Sequence, residues 1–134
     1  MKKKMRVASI SSLALACLLI SGTAAHAADG SAKYKGCTNY VKVWRDGSKV
    51  KAFGKMTCKR RTLIMRPAVV LSADGGKHGM IIKGKACRAA TTCQTVTVSL
   101  SAKHGQTYRA SNAGTIDTDD VGSKSSVAHA TYKA

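Results

Sequence analysis

Residues 39–58 read NYVKVWRDGSKVKAFGKMTC, and the fold class follows from how they alternate. Val41 and Val43 fall on one side, Tyr40, Lys42 and Trp44 on the other, which is the period of a half-buried strand. Asp46-Gly47-Ser48 interrupts the run as a turn. Beyond it Val50, Ala52, Met56 and Cys58 share one face, and Lys49, Lys51 and Lys55 the opposite one. Two alternating runs around a D-G turn predict a β-hairpin.

The same grammar extends outward. TLIMRPAVVL (62–71) is the most apolar run after residue 27. Its Pro67 removes a ladder donor, so this strand lies at an edge or breaks at a bulge. Ala73-Asp74-Gly75-Gly76 turns the chain, and HGMIIKGKAC (78–87) returns as the hairpin partner. RAATT (88–92) is a short loop between two cysteines. QTVTVSL (94–100) alternates again, TYRAS (107–111) follows as a strand, 112–126 is a Gly-, Ser- and Asp-rich loop, and VAHATY (127–132) closes the chain. No amphipathic helix appears. The expectation is all-β: a single small immunoglobulin-like β-sandwich of about seven antiparallel strands.

The start of the chain reads as an export signal. MKKKMR is a charged region, VASISSLALACLLISG an apolar one, and Ala25-His26-Ala27 a small-x-small cleavage site. Residues 1–27 are expected to be a signal peptide, 28–36 a flexible mature N-terminus and 37–134 the β-sandwich domain. The expected location is therefore secreted, after cleavage near Ala27. LALAC also offers Cys17 as a lipobox cysteine, against which the apolar run continues through Leu18, Leu19 and Ile20. No later segment is long and apolar enough to span a bilayer as a helix.

Four cysteines follow the signal: Cys37, Cys58, Cys87 and Cys93. An even count in a short exported chain predicts two disulfides, for which three pairings exist. Nearness in the chain favours Cys37–Cys58 and Cys87–Cys93. A zinc site is the other use of four cysteines, but C-x2-C pairs are absent.

The sequence carries 23 Lys and Arg, six Asp and no Glu, a formal net charge of +17. Lys2, Lys3, Lys4 and Arg6 leave with the signal. Of the remaining cations, most lie between Lys33 and Arg88, where Asp46 and Asp74 are the only acids. Such a field attracts anions. The run Lys59-Arg60-Arg61 is read at a strand end and, with Arg66, Lys83, Lys85 and Arg88, is the candidate anion-binding site. Arginine forks fit phosphate and carboxylate oxygens. Lys49, Lys51 and Lys55 have a simpler use, keeping a sheet from pairing with its neighbours. The expected partner is an anionic polymer or surface, or a protein in an extracellular assembly. No nucleic-acid motif is present. With only Tyr34, Tyr40, Trp44, Phe53, Tyr108 and Tyr132 available, a stacking platform for single strands is expected to be poorly supplied.

Catalysis finds little to use. His78 and His104 each precede a glycine at a turn, and His129 stands alone. No spacing matches H-E-x-x-H, a P-loop or a G-x-S-x-G elbow. The expectation is a non-catalytic chain without cofactor or metal. A small secreted nuclease using two of the histidines is the enzymatic alternative, and a wall- or membrane-active antibacterial protein is another. Asp117, Asp119 and Asp120 form an acidic loop that offers oxygen ligands of the kind calcium takes.

One resemblance covers residues 37–110. A cysteine before a hairpin, a T-C pair at the end of its second strand, then G-K-A-C-x5-C, a T/V-rich strand and G-x-x-Y-R-A resemble small exported actinobacterial proteins with two disulfides and an immunoglobulin-like fold. One such group supplies a small adaptor subunit of secreted umbrella-shaped toxin particles. The resemblance implies an adaptor role and assigns no individual residues.

Overall fold

In the computed structural model, which describes residues 27–117 and 126–134, the predicted hairpin is the centre of the larger sheet. Strand β2 (Cys37–Asp46) pairs antiparallel with β3 (Lys49–Arg66) from Asp46 opposite Lys49 to Cys37 opposite Cys58. Gly47 takes the positive φ, 56°, that the two-residue turn needs. Val41, Val43, Val50 and Ala52 are fully buried, as the alternation requires.

Residues 28–36, expected to be a flexible start, are mostly a strand. β1 (Ala27–Tyr34) pairs with β2 along its whole length. Lys35 and Gly36, both at positive φ (46° and 74°), make the two-residue turn between them. The segment is small and polar because it runs close over another strand. A Cβ on Gly30 would stand 1.8 Å from the backbone oxygen of His129.

The run 62–71 is not one strand. β3 continues without interruption from Lys49 to Arg66 and ends at Pro67. The next strand, β4 (Ala68–Ala73), belongs to the other sheet. A residue without an N–H is a natural place for this crossing. β4 pairs with β5 (Met80–Gly84), the hairpin read from the sequence. The segment 88–92, expected as a loop, is part of β6 (Cys87–Gln94), which pairs with β3. β7 (Val98–Ser101) also pairs with β3. β8 (Thr107–Asn112), the short β9 (Thr115–Ile116) and β10 (Ala128–Lys133) complete ten strands among the described residues. The larger sheet has the order β1-β2-β3-β6, with β7 and β9 on β3, and the smaller one runs β10-β8-β4-β5. No described residue is in an α-helix.

Both disulfides pair as expected, Cys37 with Cys58 and Cys87 with Cys93. Closing these loops stabilises the fold by about 3 and 2 kcal/mol in the loop-entropy view. The second has a larger structural effect. Six residues of straight strand span about 20 Å, yet the Cα atoms of Cys87 and Cys93 are 5.8 Å apart. β6 therefore doubles back, with Ala89 at φ 49°. β3 follows it: Met65 lies opposite Cys87 and Met56 opposite Cys93. Between Thr57 and Thr62 the register shifts, and Cys58, Lys59, Arg60 and Arg61 together oppose the single residue Thr91. The two strands form a paired arch over a small core of Tyr34, Met56, Met65, Ile116 and three of the half-cystines.

A separate core lies between the sheets, where Val41, Val43, Val50, Ala52 and Val98 meet Val69, Leu71, Tyr108, Ala110 and Tyr132. Asn112, fully buried, joins the layers. Its Oδ1 accepts from the Ala68 N–H (3.1 Å), and its Nδ2 donates to the Tyr40 and Lys55 carbonyls (3.0 and 3.1 Å). Gly54 makes room, since a Cβ there would be 2.7 Å from the Asn112 Cγ. The buried Tyr108 hydroxyl donates to the Ser101 carbonyl (2.6 Å) and accepts from the Lys103 N–H (2.9 Å), bracing the passage from β7 to β8.

Two predictions follow from these contacts. Asn112→Ala leaves the Ala68 N–H without its acceptor and removes one hydrogen bond from each of the Tyr40 and Lys55 carbonyls; a buried unpaired donor costs about 1–3 kcal/mol, so urea denaturation is expected to show a loss of about 2 kcal/mol or more, and a loss under about 1 kcal/mol would remove Asn112 as the bridge. The second concerns acid. The Asp74 carboxylate accepts from the Thr107 N–H (2.9 Å) and pairs with His78 Nδ1 (2.8 Å), which hold it below the usual carboxylate range. A lowered folded-state pKa contributes stability that is full above the unfolded value and lost as pH falls through the folded one. Asp74→Asn is expected to flatten the acid limb of a stability–pH profile below about pH 4, while an unchanged limb would contradict it.

Candidate anion-binding cleft

The arch decides where the cationic run points. Lys59-Arg60-Arg61 was expected at a strand end, but it lies inside β3, at the outer turn of the arch. A bulge re-aims side chains, and here three consecutive residues are all exposed. The Lys59 N–H donates to the Gly36 carbonyl (3.2 Å), tying the arch to the β1–β2 turn. That contact brings Lys35 alongside. Lys35, Lys59, Arg60 and Arg61 line a cleft of about 420 Å³ whose base includes the Cys37–Cys58 disulfide, Thr62 and Ile116. An adjoining hollow of about 290 Å³ shares the disulfide and Lys59, and adds Lys33, Thr38 and Thr57.

Asp117 is the acid of the larger cleft, and its hydrogen bonds are turned to β3. Its Oδ1 accepts from the Leu63 N–H (2.9 Å), its N–H donates to the Ile64 carbonyl (2.9 Å), and its own carbonyl accepts from Arg66 Nη2 (2.7 Å). Lys59, Arg60 and Arg61 form no ion pair with any described residue. Lys35 stands over the Tyr34 ring, 5.6 Å from its centre. The cleft thus gathers four cations around one carboxylate that is already engaged.

The seven cations expected to form one patch are not all brought together. Arg66 is committed to β9, through Asp117 and the Thr115 hydroxyl (3.4 Å). Arg66 and Lys85 line a different groove, about 320 Å³, beside Pro67, Ala68 and Ala113. Lys83 is opposite Val69 in the other sheet, and Arg88 opposite Ile64 on β6. Splitting the run 62–71 at Pro67 is what separates Lys83 and Lys85 from the arch.

The histidines are dispersed: His78 pairs with Asp74 on an exposed turn, His104 is on the β7–β8 link, and His129 is on the outward face of β10. Among the described residues no three His, Cys, Asp or Glu come close enough to hold a metal ion. Asp119, Asp120, Cys17 and the expected signal segment up to residue 26 lie outside the described residues. Ala27, the expected last residue of the signal, is the first of β1.

The larger sheet carries an aromatic group that composition does not signal. Tyr40 and Trp44 of β2 and Phe53 of β3 meet on the outward face of the larger sheet, with ring centres 6.0 Å (Tyr40–Phe53) and 5.8 Å (Trp44–Phe53) apart. The residue count made a platform look poorly supplied, whereas half of the aromatics after residue 27 are in this group. Aligning the two strands about the D-G turn puts Phe53 opposite Lys42, between Tyr40 and Trp44, so the register held the information that composition lacked.

No family model matches the chain, and neither a curated protein nor a solved structure matches it.

Proposed function

We propose that this chain is an exported, non-catalytic binding module that engages an anionic partner through the cleft at the β3 arch. The observation that carries the reading is the placement of Lys59, Arg60 and Arg61, exposed and without ion pairs among the described residues, beside Lys35. Holding like charges together is unfavourable, and a bound anion relieves it. The backbone sets their spacing, so they act as a preformed site rather than as scattered surface charge. Two disulfides accord with an oxidising compartment outside the cytosol, and no described helix is long and apolar enough to cross a membrane. We read the fold as immunoglobulin-like. The order β10-β8-β4-β5 in one sheet, β3 pairing with β7 in the other, and the tyrosine brace at Tyr108 support that reading. An adaptor role in an extracellular assembly is the same chemistry with an acidic protein as the anion.

Salt dependence tests the cleft. Each cation that neutralises a phosphate of duplex DNA releases counterions and adds about −0.9 to the slope of log K against log salt. Replacing Lys59, Arg60 and Arg61 by Gln is expected to flatten that slope by up to about three units. Folding should hold, because exposed changes shift stability by about 0.5 kcal/mol or less. Gln at Lys77, Lys103 and Lys133, exposed and away from the arch, removes the same charge. Equal losses from the two triplets would mean diffuse attraction and would sink the proposal.

A further inference from the structure

We infer that the outward face of the larger sheet binds a single-stranded nucleic acid, with the arch cleft receiving one end of the strand. The inference deepens the anion reading and rests on it for that cleft. The face is a chequerboard. Along β2, Tyr40, Lys42 and Trp44 point outward, and their partners across the ladder are Lys55, Phe53 and Lys51. Every aromatic ring therefore stands opposite a lysine, and Phe53 sits between the other two rings. Lys42 also lies over Trp44, 5.9 Å from the ring centre.

The same face leads to the arch. Thr38 and Thr57 are the next outward pair along β2 and β3, and with Lys33 and Lys59 they line the hollow beside the disulfide. From Trp44 to Thr38 the strand covers about 20 Å, and Lys59, Arg60 and Arg61 lie just beyond. The acids on this side are accounted for: Asp29 accepts from the Tyr40 hydroxyl (3.3 Å), and Asp46 pairs with Lys51. Lys33, Lys42, Lys49 and Lys55 leave the face cationic.

Rings interleaved with cations match one kind of polyanion better than others. A nucleic-acid single strand offers a flat base and a phosphate at each step, and bases stack on aromatic side chains without regard to sequence. A phosphate polymer without bases offers charge alone. A duplex hides its base faces. Three adjacent rings at the surface of a basic sheet have no use for a partner that only supplies charge.

Trp44, the only tryptophan, reports directly. The protein is titrated with an oligothymidylate of about twelve nucleotides, within the usual site sizes, and with an abasic oligomer of equal length. The oligothymidylate is expected to quench Trp44 and to bind at least about tenfold more tightly, since stacked bases add affinity that phosphates do not. Phe53→Leu is expected to remove about tenfold from oligothymidylate binding and nothing from abasic binding, while Phe53→Tyr restores it. Unchanged thermal melting of both variants keeps the comparison clean, and Trp44→Leu, followed by anisotropy of a labelled oligomer, should reproduce the Phe53→Leu loss. The Gln triplet at 59–61 should weaken both oligomers alike. Equal affinity for the two oligomers, or equal loss of both in Phe53→Leu, would overturn the platform and leave the cleft standing. Binding of neither at low salt would overturn both.

Discussion

Cys58 lies opposite Cys37 in the ladder, and the bond between them holds the point at which β3 leaves regular pairing. Everything at this end of the molecule depends on that point. Four residues of β3 must fit opposite one residue of β6, so the chain has to bow outward. The Cys87–Cys93 bond imposes the matching bend on β6. Met56, Met65 and Ile116 fill the space beneath, and the cations are left on the outside, because nothing in that small core offers them a partner. The arch is thus a packing solution that leaves three exposed cations beside Lys35 as its by-product.

The two ends of the sheets are built on different logic. Between the sheets, branched and aromatic side chains interdigitate, and one buried amide, Asn112, satisfies backbone groups on both layers. At the arch, cross-links do the work that a short core of about half that size cannot. Asn39 marks the boundary between the regions. Its Nδ2 donates to the Gly114 and Ser126 carbonyls, which ties β2 to the segments on either side of β10's approach. Its Oδ1 has no partner among the described residues.

The hairpin at 39–58, its register, the β4–β5 hairpin, both disulfides and the last strand were legible in the sequence, because each rests on local alternation, on a turn residue or, for the cysteines, on nearness in the chain. What was not legible depends on contacts between strands or on what a cross-link does to the path of the chain. β1 alternates only between small and polar residues, Ala28, Gly30, Ala32 and Tyr34 facing inward, and Gly30 stands where the strand runs close to the His129 backbone. Residues 88–92 look like a loop because β6 bends, and the bend is set by Cys87 finding Cys93. The cations at 59–61 stand out in the sequence by charge, but their place at an arch follows from the register shift against β6. Arg66 was grouped with them on the premise that the hairpins stack, and it is spent on Thr115 and Asp117.

The proposed function requires Lys35 and residues 59–61 to form one preformed anion site. Backbone amide shifts, mapped by NMR during titration with inorganic polyphosphate at moderate salt, test it most directly. The largest changes are expected at residues 35–38 and 58–62, saturating together with a single affinity, with little change at Lys77, Lys103 or Lys133. Shifts of similar size at lysines all over the surface, without saturation, would contradict it.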